Sequence, residues 1–227
     1  MVAAEALVRW NGPDGRLRFP GEFIAIAEES GVIVQLGAWV LRAACEQMAE
    51  WQRRGIDLGV AVNVSPRQFT HGDFIALLDR VLLETGADPC KLQIEVTEAA
   101  IMSNVDAVLG TLRAVRALGI RVAIDDFGTG YSSFAYLKRF DVDTLKIDRM
   151  FVQDIEGERN RAIAKSIVTV AHTLGLSVTA EGVETPVQST ILGSLGCDRL
   201  QGYHLGRPLS VESFESAFFG GRETLVS

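Results

Sequence analysis

The sequence predicts an α/β fold, read as a parallel (β/α) barrel of the TIM type. Three observations support it. Strand-like runs alternate with helical apolar stripes along the whole chain, with short connections between them. Seven strand-like segments can be read, close to the roughly eight of a closed barrel. The first strand–helix turn carries no G-x-G-x-x-G fingerprint, which counts against the competing fold, an open doubly wound sheet.

Taken in order, Ala3 to Trp10 reads as a strand with Glu5 its only acidic residue. Pro20 to Ser30 reads as a short helix stopped by Gly31. Leu36 to Arg54 is an amphipathic helix with the stripe Trp39, Val40, Ala43, Ala44, Met48 and Trp51. In the strand Leu58 to Ser65, Val60, Val62 and Val64 alternate with Ala61, Asn63 and Ser65. Asp73 to Thr85 is a helix ended by Gly86, and Lys91 to Thr97 a strand with Gln93, Glu95 and Thr97 on one phase. Ser103, with Asp106 three residues on, is expected to cap a helix through Leu118. Arg121 to Phe127 follows as a strand, then a Gly128-Thr129-Gly130 turn and a short helix from Ser133 to Phe140. Thr144 to Asp148 is a strand, Arg159 to Leu174 a helix, and Ser177 to Val183 a strand. Thr185 and Gln188 form a capping box with Pro186 at the first helical position. A last strand spans Arg199 to Tyr203, and Ser210 caps a final helix to Phe219. No linker or low-complexity run divides residues 1–227, so one domain is expected.

Composition removes several function classes. Hydrophobic residues make up 48% of the chain, enough for a large core. No apolar run approaches the roughly 18 residues of a membrane span. Cys45, Cys90 and Cys197 are far apart without C-x-x-C spacing, which predicts a reducing, cytoplasmic setting and no thiolate metal site. A net charge of −7 argues against binding DNA or RNA duplexes.

The strands share one pattern. One phase is aliphatic, and the other carries a polar group near the C-terminal end: Glu5, Asn63, Glu95, Asp125, Lys146 with Asp148, Glu181 and Gln201. In a barrel these groups converge on the C-terminal mouth, where such folds place their chemistry. Each unpaired buried charge would cost several kcal/mol, so the carboxylates call for cations. Carboxylates with one amide are hard donors, which favours Mg²⁺ or Mn²⁺. There are enough for two ions bridged by Asp125, an arrangement suited to phosphodiester hydrolysis. Asp125-Asp126 before a glycine-rich turn is the centre of the pattern. Lys146 has two readings, a salt-bridge partner of Asp148 or Asp125, or a group positioning the attacking water. Glu181 is expected to be the general base or a metal ligand.

Glu5-Ala6-Leu7, Asn63-Val64-Ser65, Glu95-Val96-Thr97-Glu98, Asp125 to Gly130, Lys146-Ile147-Asp148, Glu181 to Glu184 and Gln201-Gly202-Tyr203 run in the order and spacing of one family. The chain resembles the EAL-domain cyclic di-GMP phosphodiesterases. The resemblance implies hydrolysis of cyclic di-GMP to 5′-pGpG with two Mg²⁺ or Mn²⁺ ions. It implies Glu5, Asn63, Glu95 and Asp125 as ligands of one ion and Asp125, Asp126 and Glu181 of the other. Lys146 and Glu181 are the implied catalytic groups, and Leu7, Arg9 and Gln201 the implied substrate contacts. Glu98, Asp148, Gly128, Thr129, Gly130, Ser132 and Glu184 are implied supports, Glu98 steadying the loop over residues 126–133. A homodimer and a fused or partner sensory domain are also implied. Degenerate members serve as cyclic di-GMP receptors or interaction modules, the alternative reading here. The family's barrel opens with an antiparallel strand upstream of Glu5-Ala6-Leu7. There is no room for that strand before Ala3, so the chain is expected to be a fragment of a longer regulatory protein, or to have a misassigned start, or to have its gap filled by another chain.

Overall fold

The computed structural model describes residues 3–103, 105–129 and 137–220. Its main sheet has seven strands: β1 (Ala3–Ala6), β4 (Gly59–Asn63), β5 (Leu92–Thr97), β6 (Arg121–Phe127), β7 (Thr144–Ile147), β8 (Ser177–Ala180) and β9 (Arg199–Leu200). They pair in that order and every pairing is parallel. Among the described residues, no antiparallel strand joins this sheet. The sheet curls until its two ends meet, because Gln201 after β9 donates a 2.5 Å hydrogen bond from Nε2 to Glu5 on β1. The expected barrel is therefore present, with a seam between β1 and β9 that side chains bridge.

Two phases organise the wall. Val60, Val62, Ile94, Val96, Val122, Ile124, Leu145, Ile147 and Val178 are buried against the helical layer. Burying side chains of this size contributes about 1.5–3 kcal/mol each. The registers Asn63↔Glu95, Thr97↔Asp125 and Lys146↔Thr179 keep the polar phases of successive strands in step, facing the barrel interior.

The helical layer comprises α1 (Ile24–Ser30), α2 (Ile33–Arg53), α3 (Pro66–Phe69), α4 (Phe74–Thr85), α5 (Glu98–Ser103), α6 (Val105–Ala117), α7 (Arg149–Gln153), α8 (Glu158–Thr173), α9 (Pro186–Ser194) and α10 (Val211–Phe219). Local chemistry sets several boundaries as expected. Gly31 and Gly86 end α1 and α4 in left-handed conformation, and Thr185 with Gln188 forms the capping box of α9. Three expectations are corrected. The first strand ends at Ala6, because Trp10–Asn11 (β2) pairs instead with Leu17–Arg18 (β3) in a separate hairpin. Ser103 closes α5, a helix not expected, while α6 starts at Val105. Trp39 of the expected α2 stripe is 60% exposed, whereas Ala44, Met48 and Trp51 of that stripe are buried together with Ile33, Gly37, Leu41 and Cys45. The helix expected over 133–140 begins outside the described residues.

One device fastens the sheet twice. The Asp143 carboxylate accepts the Val122 N–H at 2.8 Å and pairs with Arg116 at the end of α6. The Asp198 carboxylate accepts the Val178 N–H at 2.7 Å and meets His172 at the end of α8 at 2.9 Å. Each clamp ties a strand's start to the residue leading into the next strand and to the end of the helix that precedes it.

Candidate active site

The polar phases converge on Lys146. Its side chain comes from mid-β7, where only 1% of the residue is exposed. The ammonium lies 2.5 Å from Glu95 on β5, 2.5 Å from Glu181 after β8 and 3.4 Å from Asp125 on β6. Glu181 stands one residue beyond β8, yet its N–H still bonds to Ile147 O at 3.1 Å, which fixes it in the ring. Lys146 is thus an ion-pair partner of three carboxylates, Asp125 among them. The Asp148 partner that the sequence offered it is not among its ion pairs.

Negative charge is in excess. Burial pushes the Glu95 carboxyl up to about 7, and repulsion from Glu5 and Asp125 adds to it, against the pull of Lys146. Burial pushes Glu181 up to about 8, with Lys146 opposing and Asp125 and Glu5 adding. Burial works against the charged form of Lys146, but Glu95, Glu181, Asp125 and Glu5 outweigh it and raise its pKa. One ammonium does not neutralise this many carboxylates in a low-dielectric interior, so the cluster favours further cations.

Amides hold the far side. Glu5 accepts from Asn63 Nδ2 through one oxygen and from Gln201 Nε2 through the other. Because Asn63 donates through its nitrogen, its carbonyl oxygen is left as a donor for a cation. Gln201 is pinned by backbone bonds to Ala180 O at 2.8 Å and from Val183 N at 3.0 Å. Gly202 makes that approach possible, since a Cβ there would lie 2.2 Å from the Val183 backbone. Gln93, which sequence reasoning passed over, donates to Glu95 Oε1 at 2.9 Å. Its signal was its position two residues before Glu95 on the same phase.

Asp126 ends the ring in a left-handed conformation, φ 53°, unusual for a residue with a Cβ. Single oxygens of Asp125, Asp126 and Glu181 all lie within 4.8 Å of one another. Burial, the Asp125 charge and a hydrogen bond to Asp148 push Asp126 up to about 6. Asp148 also caps α7 by accepting the Met150 N–H at 2.7 Å. Thr129 Oγ1 donates to Asp126 O at 2.8 Å, and Glu98 accepts the Gly128 N–H at 2.9 Å. Gly130 and Ser132 lie outside the described residues.

The remaining candidates stand apart. Leu7 is exposed, and Arg9 stacks its guanidinium 5.0 Å from the Phe19 ring centroid rather than joining the carboxylates. Glu184 is exposed and contributes its backbone N–H to Gln188 at 2.7 Å. Oxygen-only donors at this spacing fit hard divalent cations. Asp125, Asp126 and Glu181 stand close enough together to hold one.

Fold and site together define a parallel (β/α) barrel whose C-terminal mouth is built from carboxylates around one buried lysine. The sequence model of the EAL domain matches residues 1–208, and the chain belongs to that family. It is 45% identical over 216 residues to the signaling protein YkoW of Bacillus subtilis, covering 95% of this chain and 27% of that protein. It is 45% identical over 214 residues to the bifunctional diguanylate cyclase/cyclic di-GMP phosphodiesterase MucR of Pseudomonas aeruginosa, covering 93% of this chain and 31% of that protein. A solved structure of the MucR phosphodiesterase in complex with c-di-GMP superposes with a TM-score of 0.91 at 44% identity, covering 94% of this chain and 87% of that one. The chain thus spans about a third or less of the length of these two curated relatives. Among the described residues no helix is long and apolar enough to cross a membrane.

Proposed function

We propose that the chain is a metal-dependent phosphodiesterase that hydrolyses cyclic di-GMP to linear 5′-pGpG. The observation that carries this is the ring of Glu95, Asp125 and Glu181 around buried Lys146, in a family whose solved MucR relative is a phosphodiesterase in complex with that nucleotide. Glu5, Asn63, Glu95 and Asp125 would hold one Mg²⁺ or Mn²⁺, and Asp125, Asp126 and Glu181 the other. When bound, such a pair supplies water activation and charge neutralisation at the scissile phosphate.

The chain's own groups do the rest. Lys146, fixed by three carboxylates, donates to the attacking water and to the phosphate oxygens as charge builds. Glu181 accepts the water's proton. Water oxygen bonds to phosphorus as the P–O3′ bond breaks, and the proton taken up by Glu181 passes to O3′, which leaves as a hydroxyl. Leu7, Arg9 and Gln201 bind the nucleotide, with Arg9 turning from Phe19 to a phosphate.

The test is chromatographic. The protein is incubated with cyclic di-GMP and Mg²⁺ or Mn²⁺, and 5′-pGpG is expected, abolished by EDTA. Calorimetric binding of cyclic di-GMP without any product in either metal would overturn the enzymatic reading and leave a receptor module.

A further inference from the structure

We propose that the opposite, N-terminal mouth of the barrel is a second binding site, for a small anion bearing a phosphate-monoester group, held by Arg121 and Arg199. A cavity of about 290 Å³ opens there, lined by both arginines and Gln93, with Lys91 and Asp57 also on its wall. At about 30 Å³ per water it has room for roughly ten waters. The inward positions at the start of β1 and β4 are Ala3 and Gly59, which put little or no side chain into it.

The two arginines belong to the inward phase, Arg121 opposite Gln93 and Arg199 opposite Thr179. Among the described residues, neither guanidinium makes a hydrogen bond or ion pair, although carboxylates lie close by. Asp57 is taken by Lys91 at 2.5 Å, and Asp198, next to Arg199, is taken by the Val178 N–H and His172. The wall therefore carries Lys91, Arg121 and Arg199 against Asp57, a formal charge of +2 on a chain of −7. Guanidinium forks match the geometry of phosphate oxygens and gain strength from the charge. Gln93 lines this cavity and also orients Glu95 in the upper ring, so one side chain serves both mouths. This inference does not depend on the phosphodiesterase reading.

The experiment titrates the whole chain, in EDTA, with inorganic phosphate and separately with GMP, followed by ³¹P NMR and calorimetry. Chelation keeps metals in the upper ring from attracting the anion. Saturable binding with Kd below about 1 mM is expected. Arg121→Gln and Arg199→Gln should each weaken it by about tenfold, the loss of one charged hydrogen-bonding group. Asp57→Asn should tighten it a few-fold by releasing Lys91. Equal binding of both probes assigns the site to the phosphate alone, and much tighter GMP adds a sugar or base contact. Unchanged melting temperatures verify folding. Absence of saturable binding in the parent chain overturns the proposal. So does equal binding by the folded double arginine variant, or loss of binding in Asp125→Asn, which would place the anion at the upper mouth.

Discussion

The two mouths of the barrel are chemical opposites built on the same strands. At the C-terminal mouth, Glu5, Glu95, Asp125, Asp126 and Glu181 crowd a buried lysine. At the N-terminal mouth, Arg121 and Arg199 border an open cavity. β6 carries both characters four residues apart, Arg121 below and Asp125 above. The lesson concerns desolvation. The upper site is enclosed, so burial pushes Glu95, Asp126 and Glu181 up and the ring favours extra cations, whereas Arg121 and Arg199 face an open cavity. Chemistry that depends on strong local fields therefore belongs to the upper end.

The sharpest break comes from removing a carboxylate of the upper ring. Asp125→Ala or Glu5→Ala should lower turnover of cyclic di-GMP by about a thousandfold or more, because the cation set loses its anchor. Near-parental turnover in Mg²⁺, measured by product chromatography, would dissolve the contrast between the mouths. Next in size, Lys146→Ala should lower kcat by about a hundredfold while Kd for the nucleotide stays within a few-fold, since its donor acts mainly in the transition state. Equal loss in affinity with unchanged kcat would make it a ground-state contact.

A pH experiment sharpens the electrostatic side. Glu95 and Glu181 titrate near 7 and 8 in the folded chain, above their ordinary value of 4.5. The folded state then binds more protons between those values, so stability falls as pH rises. In EDTA, the melting temperature should drop between about pH 5 and pH 8, and Mn²⁺ should restore it at the upper end. A metal-free profile rising over that range would contradict the burial of uncompensated carboxylates. The smallest effect belongs to the clamp at the barrel's base. Burial pushes the Asp198 carboxyl up, but its bonds to His172 and Val178 together outweigh it and hold it below its ordinary 3.8. Its contribution is present above 3.8 and lost as pH falls through the folded value. Asp198→Asn should cost about 1 kcal/mol or less at neutral pH, since the pair is well exposed. The difference from parent, followed by thermal melts, should shrink in acid.

Much of the upper mouth was legible in the sequence. The strand period of 2 placed Glu5, Asn63, Glu95, Asp125 and Lys146 on one phase, and parallel pairing brought that phase to one rim. Glu181 and Gln201 lie past the regular strand ends but stay in step through backbone bonds. What periodicity cannot give is partner choice. It left Lys146 open to Asp148 or Asp125, because which carboxylate it reaches depends on how β5, β6 and β7 curl together. Trp39 was misplaced for a related reason. A helix with apolar residues on more than one face does not say which face meets the sheet, and α2 buries the face centred on Leu41 and Cys45. The lower cavity left no motif, since small residues such as Ala3 and Gly59 on its wall carry no chemical signal.

The central claim is that the upper ring is a divalent-cation site. It is tested most directly by titrating the chain with Mn²⁺ and counting bound ions by electron paramagnetic resonance. About two saturable ions per chain are expected, with binding sharply weakened in Asp125→Asn. No saturable Mn²⁺, or a titration that Asp125→Asn leaves unchanged, would contradict it.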